Sequence, residues 1–141
     1  MEPTGCGCPP TGAPGRVHHV FVNVKDLARS RPFYEWLMPR LGYATHWSYD
    51  GSSGWLSPGG SFWLKAADPR FADDDFHKDR VGLCEIAFAA ASRDEVDALA
   101  LALADRGATV AGVNDNPART CIGVHQRLNV NTNGCAFPAG Y

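Results

Sequence analysis

Two stretches of the chain alternate apolar and polar positions in the way that half-buried β-strands do. Val17–Val24 is rich in β-branched and aromatic residues, and Gly82–Ala90 has the same character. Strand alternation places His19, Phe21 and Asn23 on one face of the first stretch. The other face holds His18, Val20, Val22 and Val24. Apolar residues at helical spacing follow each stretch, so the pattern predicts two strand–helix units.

Capping residues mark where the two predicted helices begin. Asp26 is the expected N-cap of the first helix, which carries Phe33 on its apolar stripe. Pro32 conflicts with that start, because it lacks an N–H and clashes with the carbonyl one turn back. The sequence leaves two alternatives, a helix that restarts with Ser30 as its cap or a helix with a kink. In the second helix, Ser92–Glu95 has the pattern of a capping box.

Short strand candidates, separated by Gly, Ser and Pro, complete each unit. They are Tyr43–Tyr49, Gly54–Ser57, Ser61–Ala66, Thr109–Val113 and the weaker Cys121–Val130. Between the units, Asp68–Arg80 is polar and predicts a loop. The first 15 residues are mostly Pro, Gly, Thr and Cys and predict a flexible tail.

The two units resemble each other. When the segment from His19 is laid over the segment from Glu85, strand falls on strand and the helix caps coincide. Two βαβββ modules, at about residues 16–67 and 81–138, fill most of the 141-residue chain. The sequence therefore predicts an α+β fold of paired βαβββ modules in a single domain, residues 16–141.

The same alignment places His19 and Glu85 at equivalent positions of their units. With an approximate twofold relation between the units, the two side chains would converge on one cavity. A histidine and a carboxylate are ligands for Zn²⁺, Ni²⁺, Mn²⁺ or Fe²⁺. Glu85 lies in an apolar strand, where a buried carboxylate needs a cation or hydrogen bonds. An outward-facing acid is the alternative.

The first unit contains, in order, His18–Val20, Val24–Leu27, Ser30 and Phe33–Tyr34. Together these residues resemble the opening motif of the vicinal oxygen chelate superfamily, which includes glyoxalase I, bleomycin-resistance proteins, fosfomycin-resistance proteins and extradiol dioxygenases. His77–Ala89 is similar to the start of that family's second module. The resemblance extends to about Val113 and implies paired βαβββ modules whose curved sheet encloses a site.

The resemblance implies a glyoxalase-like, metal-dependent enzyme of the lyase or isomerase type, acting on a small oxygenated substrate. The divalent ion (Zn, Ni, Mn or Fe) would be held by His19 and Glu85, with Glu85 also the candidate acid or base. Lewis-acid polarisation of a substrate carbonyl is the chemistry that such an ion supplies. The substrate-binding candidates are Phe21, Asn23, Trp63, His77 and Arg80.

The end of the chain departs from the family pattern. The family supplies a further acid after an Asp-Pro-Asp-Gly turn, whereas this chain has Asn131–Gly134 and then, at about that position, Pro138, which cannot bind a metal. His125 is the substitute ligand if this segment folds back. A divergent ending and an altered reading frame are both open for residues 114–141. Because catalytic zinc usually takes three protein ligands, the alternative function is metal-free binding of a small molecule, as in bleomycin-resistance proteins.

The amino-acid composition limits which classes of partner the protein is expected to bind and in which cellular compartment it is expected. The 13 Lys+Arg against 15 Asp+Glu give a net charge of −2, which lacks the basic footprint of a nucleic-acid binder. No apolar run reaches the ~20 residues that span a bilayer. The odd number of cysteines, five, favours a reducing compartment, and a cytoplasmic location is expected. The resemblance and the edges of two small half-sheets favour a homodimer.

The aromatic residues and the polar residues before the second unit each allow two interpretations. The aromatics in question, Trp47, Trp55, Phe62 and Trp63, either line a ligand pocket or pack in the core and at a subunit interface. His77 and Arg80 either bind an anionic group of the substrate or belong to a solvated loop.

Overall fold

Each half of the chain folds as a strand, a helix and three further strands. The computed structural model describes residues 14–75, 77, 79–83, 86–111, 121–126 and 135–138. The chain divides into two units, Met1–Ala72 and Asp73–Tyr141. The α+β class and the βαβββ order predicted from the sequence are confirmed. The tail predicted at residues 1–15 lies almost entirely outside the described residues.

The first unit is a four-stranded mixed sheet with one helix. Its elements are β1 (His19–Val24), α1 (Leu27–Arg40), β2 (Ala44–Tyr49), β3 (Ser52–Ser57) and β4 (Gly60–Ala66). The strand order is β1-β4-β3-β2, with β1 and β4 parallel and the other neighbours antiparallel. A short 3₁₀ helix, Pro69–Phe71, lies in the described part of the predicted loop after β4.

Helix α1 begins where its predicted cap places it. The Asp26 carboxylate accepts a hydrogen bond from the Arg29 backbone N–H at 3.1 Å, and the Asp26 carbonyl accepts from the Ser30 N–H at 3.0 Å. The helix continues through Pro32, so a new start capped by Ser30 is wrong. Pro32 withdraws a single backbone donor, the one that would bond the Ala28 carbonyl. Packing of the apolar stripe on the sheet is enough to keep the helix intact.

The core of the first unit lies between α1 and the sheet. Tyr34 is 2% exposed, and its ring stacks on Phe62 with centroids 5.3 Å apart. Trp55 is 1% exposed and lies 6.2 Å from the Tyr34 ring. Two of the four aromatic residues with an open role, Trp55 and Phe62, are therefore core residues. Trp63 points to the other face of the sheet.

A buried polar contact connects α1 to the hairpin formed by β2 and β3. Ser53 is fully buried, and its hydroxyl accepts a hydrogen bond from Arg31 Nε at 2.8 Å. The same guanidinium donates through Nη2 to the backbone carbonyl of Tyr49. Arg31 thus satisfies two acceptors that lie on neighbouring strands. This pairing removes the cost of burying the Ser53 hydroxyl without a partner.

The second unit has the same element order and a different strand order. Its elements are β5 (Ile86–Ala89), α2 (Arg93–Asp105), β6 (Thr109–Ala111), β7 (Cys121–Gln126) and β8 (Cys135–Pro138). The sheet order is β5-β7-β8-β6, with β6 and β8 parallel. In the first unit, the opening strand pairs with the last strand instead. The repeat predicted from the sequence holds for strand and helix order and not for the pairing of the last strands.

The Ser92 cap predicted for α2 is confirmed, while the return hydrogen bond of the capping box goes to Ala91 instead of Ser92. The Ser92 hydroxyl accepts from the Glu95 backbone N–H at 3.2 Å, and the Glu95 carboxylate accepts from the backbone N–H of Ala91. The buried side chains described in this unit are Phe88, Val96, Leu99 and Leu103. In the described ranges, no helix is both long enough and apolar enough to cross a membrane.

Candidate functional site

The face of the first sheet that lies opposite α1 carries the candidate site. Along β1, Val22 and Val24 are buried on the helix side, which leaves the alternating positions on the other side. Along β4, Leu64 is fully buried while its neighbours point away from the helix. We define the open face by the side chains of His19, Phe21, Asn23, His46, Trp63 and Lys65.

A stacked aromatic pair forms the centre of the open face. The rings of Phe21 and Trp63 lie 5.3 Å apart at an interplanar angle of 14°. Phe21 remains 55% exposed. His19 meets the Phe21 ring edge-on at 5.7 Å, and His46 meets the Trp63 ring edge-on at 5.8 Å. Four rings therefore form a continuous aromatic row across the strands.

Two small residues fix the orientation of Trp63. Its indole Nε1–H donates to the Ser61 hydroxyl at 2.9 Å. Gly54 lies directly opposite Trp63 on β3, and a Cβ atom there would lie within 3.0 Å of the indole ring. The indole thus packs flat on the glycine backbone. Neither Gly54 nor Ser61 is among the candidates predicted from the sequence. A glycine inside a strand is the available signal, because it often marks a close approach of another group.

His18 and His19 form a side-chain pair at the start of β1. Their Nδ1 atoms are 2.8 Å apart, so one ring donates and the other accepts. Strict alternation would place the two rings on opposite faces, but His18 precedes the first residue of β1, and its ring reaches His19. When His19 Nδ1 carries the hydrogen, its Nε2 holds a free lone pair. A histidine that ligates a metal commonly has its other nitrogen bonded in this way.

The described residues do not form a metal site by themselves. No group of three or more His, Cys, Asp or Glu side chains in the described part of the chain is arranged to hold an ion. His19 is the single predicted ligand whose side chain is described. Glu85 lies outside the described residues, one position before β5.

For the candidate third ligand, His125, the structure describes the backbone position. His125 lies in β7, in register with Ala136 of β8. Pro138 is the last residue of β8, where it pairs with Ala111. The predicted turn at Asn131–Gly134 lies outside the described residues. The identity of the third ligand therefore stays a prediction.

His77 and Arg80 are exposed residues in the segment that leads into the second unit. The backbone N–H of Asp79 donates to His77 Nδ1 at 3.1 Å, and the Arg80 guanidinium donates to the Asp75 carbonyl at 3.0 Å. Both side chains thus make local contacts within their own loop. Their substrate-binding role stays a prediction.

The charge near the end of β4 is locally paired. Asp68 accepts from Arg70 through both carboxylate oxygens, at 3.0 and 3.1 Å. The pKa of Asp68 is lowered, first by this side-chain hydrogen bond and then by the hydrogen bond from the Arg70 backbone N–H. Lys65 adds only a weaker electrostatic effect in the same direction. Asp68 is therefore held by Arg70, and Lys65 has no ion-pair partner among the described residues.

The helix-backed mixed sheet and the βαβββ order define a glyoxalase-like fold. The sequence profile of the glyoxalase/bleomycin resistance protein/dioxygenase superfamily matches residues 16–124, and the chain belongs to this superfamily. The resemblance seen in the sequence is thus confirmed.

Two proteins are similar to this chain, one in sequence and one in structure. The uncharacterised protein YqjT of Bacillus subtilis (strain 168) is 31% identical over 91 residues, which are 64% of this chain and 71% of YqjT. A crystal structure of a "putative glyoxalase" from Bacillus halodurans has a TM-score of 0.73 and 27% identity. That match covers 88% of this chain and 94% of the other.

Proposed function

We propose that the protein binds a small planar organic molecule on the open face, with Phe21 and Trp63 as the stacking surface. The supporting observation is the parallel stack of these two rings, of which Phe21 is more than half exposed. Covering exposed aromatic surface with a flat ligand is favourable, because it removes apolar area from water. His19 and Asn23 flank Phe21 along β1 and supply polar contacts beside it.

The rigidity of the platform supports the same proposal. Ser61 and Gly54 hold the Trp63 indole flat before any ligand arrives. A side chain that is already fixed loses little conformational entropy on binding, and this loss is a main cost of association. The platform is therefore preorganised for a planar partner.

A neutral probe, 2-naphthamide, tests this binding by isothermal titration calorimetry. We expect saturable binding that is lost in Trp63→Ala and in Phe21→Ala. Phe71→Ala is the matched control, because Phe71 is 52% exposed, similar to Phe21, and does not belong to the open face. Binding that survives both open-face substitutions, or no binding at all, would contradict the proposal.

A metal-dependent lyase or isomerase is the second candidate function. It is favoured by the hydrogen bond between the Nδ1 atoms of His18 and His19, because the tautomer in which His19 donates leaves its Nε2 as the ligating nitrogen. In this proposal His19 and Glu85 hold the ion, and the aromatic row orients the substrate beside it. The ion would supply Lewis-acid polarisation of a substrate oxygen.

Metal analysis of protein purified without a histidine tag tests this second candidate. One divalent ion per chain, lost in His19→Ala and in Glu85→Gln, is the expected result. His77→Ala is the control, since His77 is an exposed histidine in the loop before the second unit. The metal-dependent function is contradicted if His19→Ala retains the metal. It is also contradicted if the chain binds no metal after incubation with Zn²⁺, Ni²⁺, Mn²⁺ and Fe²⁺, and metal-free binding is then the remaining proposal.

We also propose a homodimer. In the described part of the first unit, β1 and β2 are the edge strands of the sheet, and edge strands present unpaired backbone groups that a partner can cover. Light scattering coupled to size-exclusion chromatography tests this proposal. The mass of a single 15.2 kDa chain at micromolar concentration would contradict it.

A further inference from the structure

The strands of the first sheet carry positive charge and no negative charge. Their sequences, HVFVNV, ATHWSY, SSGWLS and GSFWLKA, contain one lysine and two histidines and neither Asp nor Glu. Histidine adds no negative charge in either protonation state. The open face is therefore neutral to cationic at every strand position.

The acidic residues nearest to these strands in the sequence lie in the connections. Asp26 caps α1, and Asp68 is held by Arg70. Asp50 lies in the turn between β2 and β3. None of the three occupies a strand position of the open face, so the charge of Lys65 is not neutralised within the sheet.

Lys65 stands one row beyond the aromatic pair. It follows Trp63 by two positions on β4, and Asn23 follows Phe21 by two positions on β1. The register pairs Asn23 with Lys65 just as it pairs Phe21 with Trp63. Two residues along a strand correspond to about 6–7 Å. Asn23 and Lys65 thus occupy paired backbone positions one row beyond the ring stack, within reach of a polar group carried by a stacked ring.

We infer that the open face selects a planar aromatic carboxylate, whose ring stacks on Phe21 and Trp63 while its carboxylate meets Lys65 and Asn23. Both side chains donate hydrogen bonds, and a carboxylate accepts them. A ligand cation would meet Lys65 with no acid on the strands to offset the repulsion. This inference rests on the binding proposed above and adds the charge of the ligand.

Three probes of nearly equal shape separate stacking from charge: 2-naphthoate, 2-naphthamide and 2-naphthamidine, which are anionic, neutral and cationic. Calorimetry at low ionic strength should rank their affinities in that order. Because Lys65 is exposed, we expect naphthoate to bind about fivefold tighter than naphthamide. The difference should shrink as salt is added, since salt screens exposed charges.

Variants assign the charge preference to one residue. Lys65→Met should bring naphthoate and naphthamide to equal affinity, and Lys65→Arg should retain the preference. Lys25→Met is the control for net charge, because it removes the same charge from an exposed position after the end of β1. Circular dichroism and thermal unfolding establish that each variant is folded.

The outcomes separate the two proposals. If naphthamide binds and Trp63→Ala abolishes that binding, but the three probes bind equally or naphthamidine binds best, the proposed function stands and the charge inference is overturned. A naphthoate preference that persists in Lys65→Met also overturns it. If none of the probes binds, or Trp63→Ala changes nothing, both proposals fail together.

Discussion

The indole of Trp63 lies on the backbone of Gly54, the residue directly opposite it on the neighbouring strand. A methyl group at position 54 would occupy the space that the six-membered ring fills. The flat surface offered to a ligand therefore depends on the absence of a side chain one strand away. This relationship connects the packing of the sheet to the proposed binding.

Gly54→Ala should displace the indole and break its stack with Phe21. Overpacking of this kind costs about 1–3 kcal/mol of unfolding free energy, and binding of 2-naphthamide should weaken with it. Urea unfolding and near-ultraviolet circular dichroism measure the two effects. Gly51→Ala is the matched control, because a Cβ there has nothing within 4 Å. Equal stability of the two variants would argue against the close approach.

Ser53→Ala should destabilise the first unit by about 1 kcal/mol, since Arg31 Nε would lose its acceptor inside a half-buried contact. Chemical unfolding measures the change. Ser48→Ala is the control on the neighbouring strand, where Ser48 lies opposite Ser53 in the register and is exposed. A similar loss in both variants would mean that the hydrogen bond is not the cause.

Asp26→Ala should cost about 1 kcal/mol, because the first turn of α1 loses its side-chain acceptor. Asp26→Asn keeps an oxygen at the same place and should retain most of the stability. Thermal unfolding of the two variants compares them directly. If both lose the same amount, the carboxylate charge, rather than the cap hydrogen bond, is responsible.

Leu37→Ala should destabilise the protein by about 2–5 kcal/mol, because Leu37 is fully buried between α1 and the sheet. Glu35→Ala, an exposed substitution in the same helix, should stay within about 0.5 kcal/mol of the parent. Urea unfolding of both proteins provides the test. A small effect at Leu37 would contradict the helix face described for α1.

Arg70→Ala should raise the pKa of Asp68 toward its ordinary value, because it removes the guanidinium hydrogen bonds, the largest cause of the lowering, while the backbone N–H of residue 70 still donates. Lys65→Met should raise it less, since the effect of Lys65 is purely electrostatic and weaker. A carbon-detected NMR titration of the Asp68 carboxyl group measures both shifts. A larger pKa shift in Lys65→Met than in Arg70→Ala would show that Lys65, and not Arg70, is the main cause of the lowered pKa of Asp68.

The sign of the accompanying stability change follows from the lowered pKa. A carboxyl group whose folded-state pKa lies below its unfolded-state pKa stabilises the fold above the unfolded-state pKa. That contribution disappears as the pH falls through the folded-state pKa. Arg70→Ala should therefore make the stability of the protein less sensitive to acid in this range, and a steeper acid dependence would contradict the assignment.

Local patterns in the sequence were sufficient for most of the first unit. The alternation at Val17–Val24 predicted which face of β1 holds His19 and Phe21, and Asp26 marked the start of α1. Pro32 led to the incorrect alternative of a helix start at Ser30, because proline is unfavourable inside an isolated helix. In the folded protein, burial of the apolar stripe outweighs the loss of one backbone donor, and α1 continues through Pro32.

The site was predicted less completely. Candidates on β1 could be identified because strand alternation is a local property. Gly54 and Ser61 could not, since their importance arises from the Trp63 indole, which packs on Gly54 of the neighbouring strand and donates to Ser61 of its own strand. The contact of His18 with His19 also contradicts simple alternation, which applies only once the strand has begun.

The sequence by itself determined the module order, the caps of both helices and the lack of acidic residues on the strands of the first sheet. These are properties of neighbouring residues, and periodicity or composition records them directly. Only the tertiary structure decided that Trp55 and Phe62 are core while Trp63 is half-buried on the open face, and that the last strands of the second unit pair in a different order. Strand pairing and ring stacking join residues that are far apart in the chain. The pattern of neighbouring residues therefore does not predict which strands pair or which rings stack.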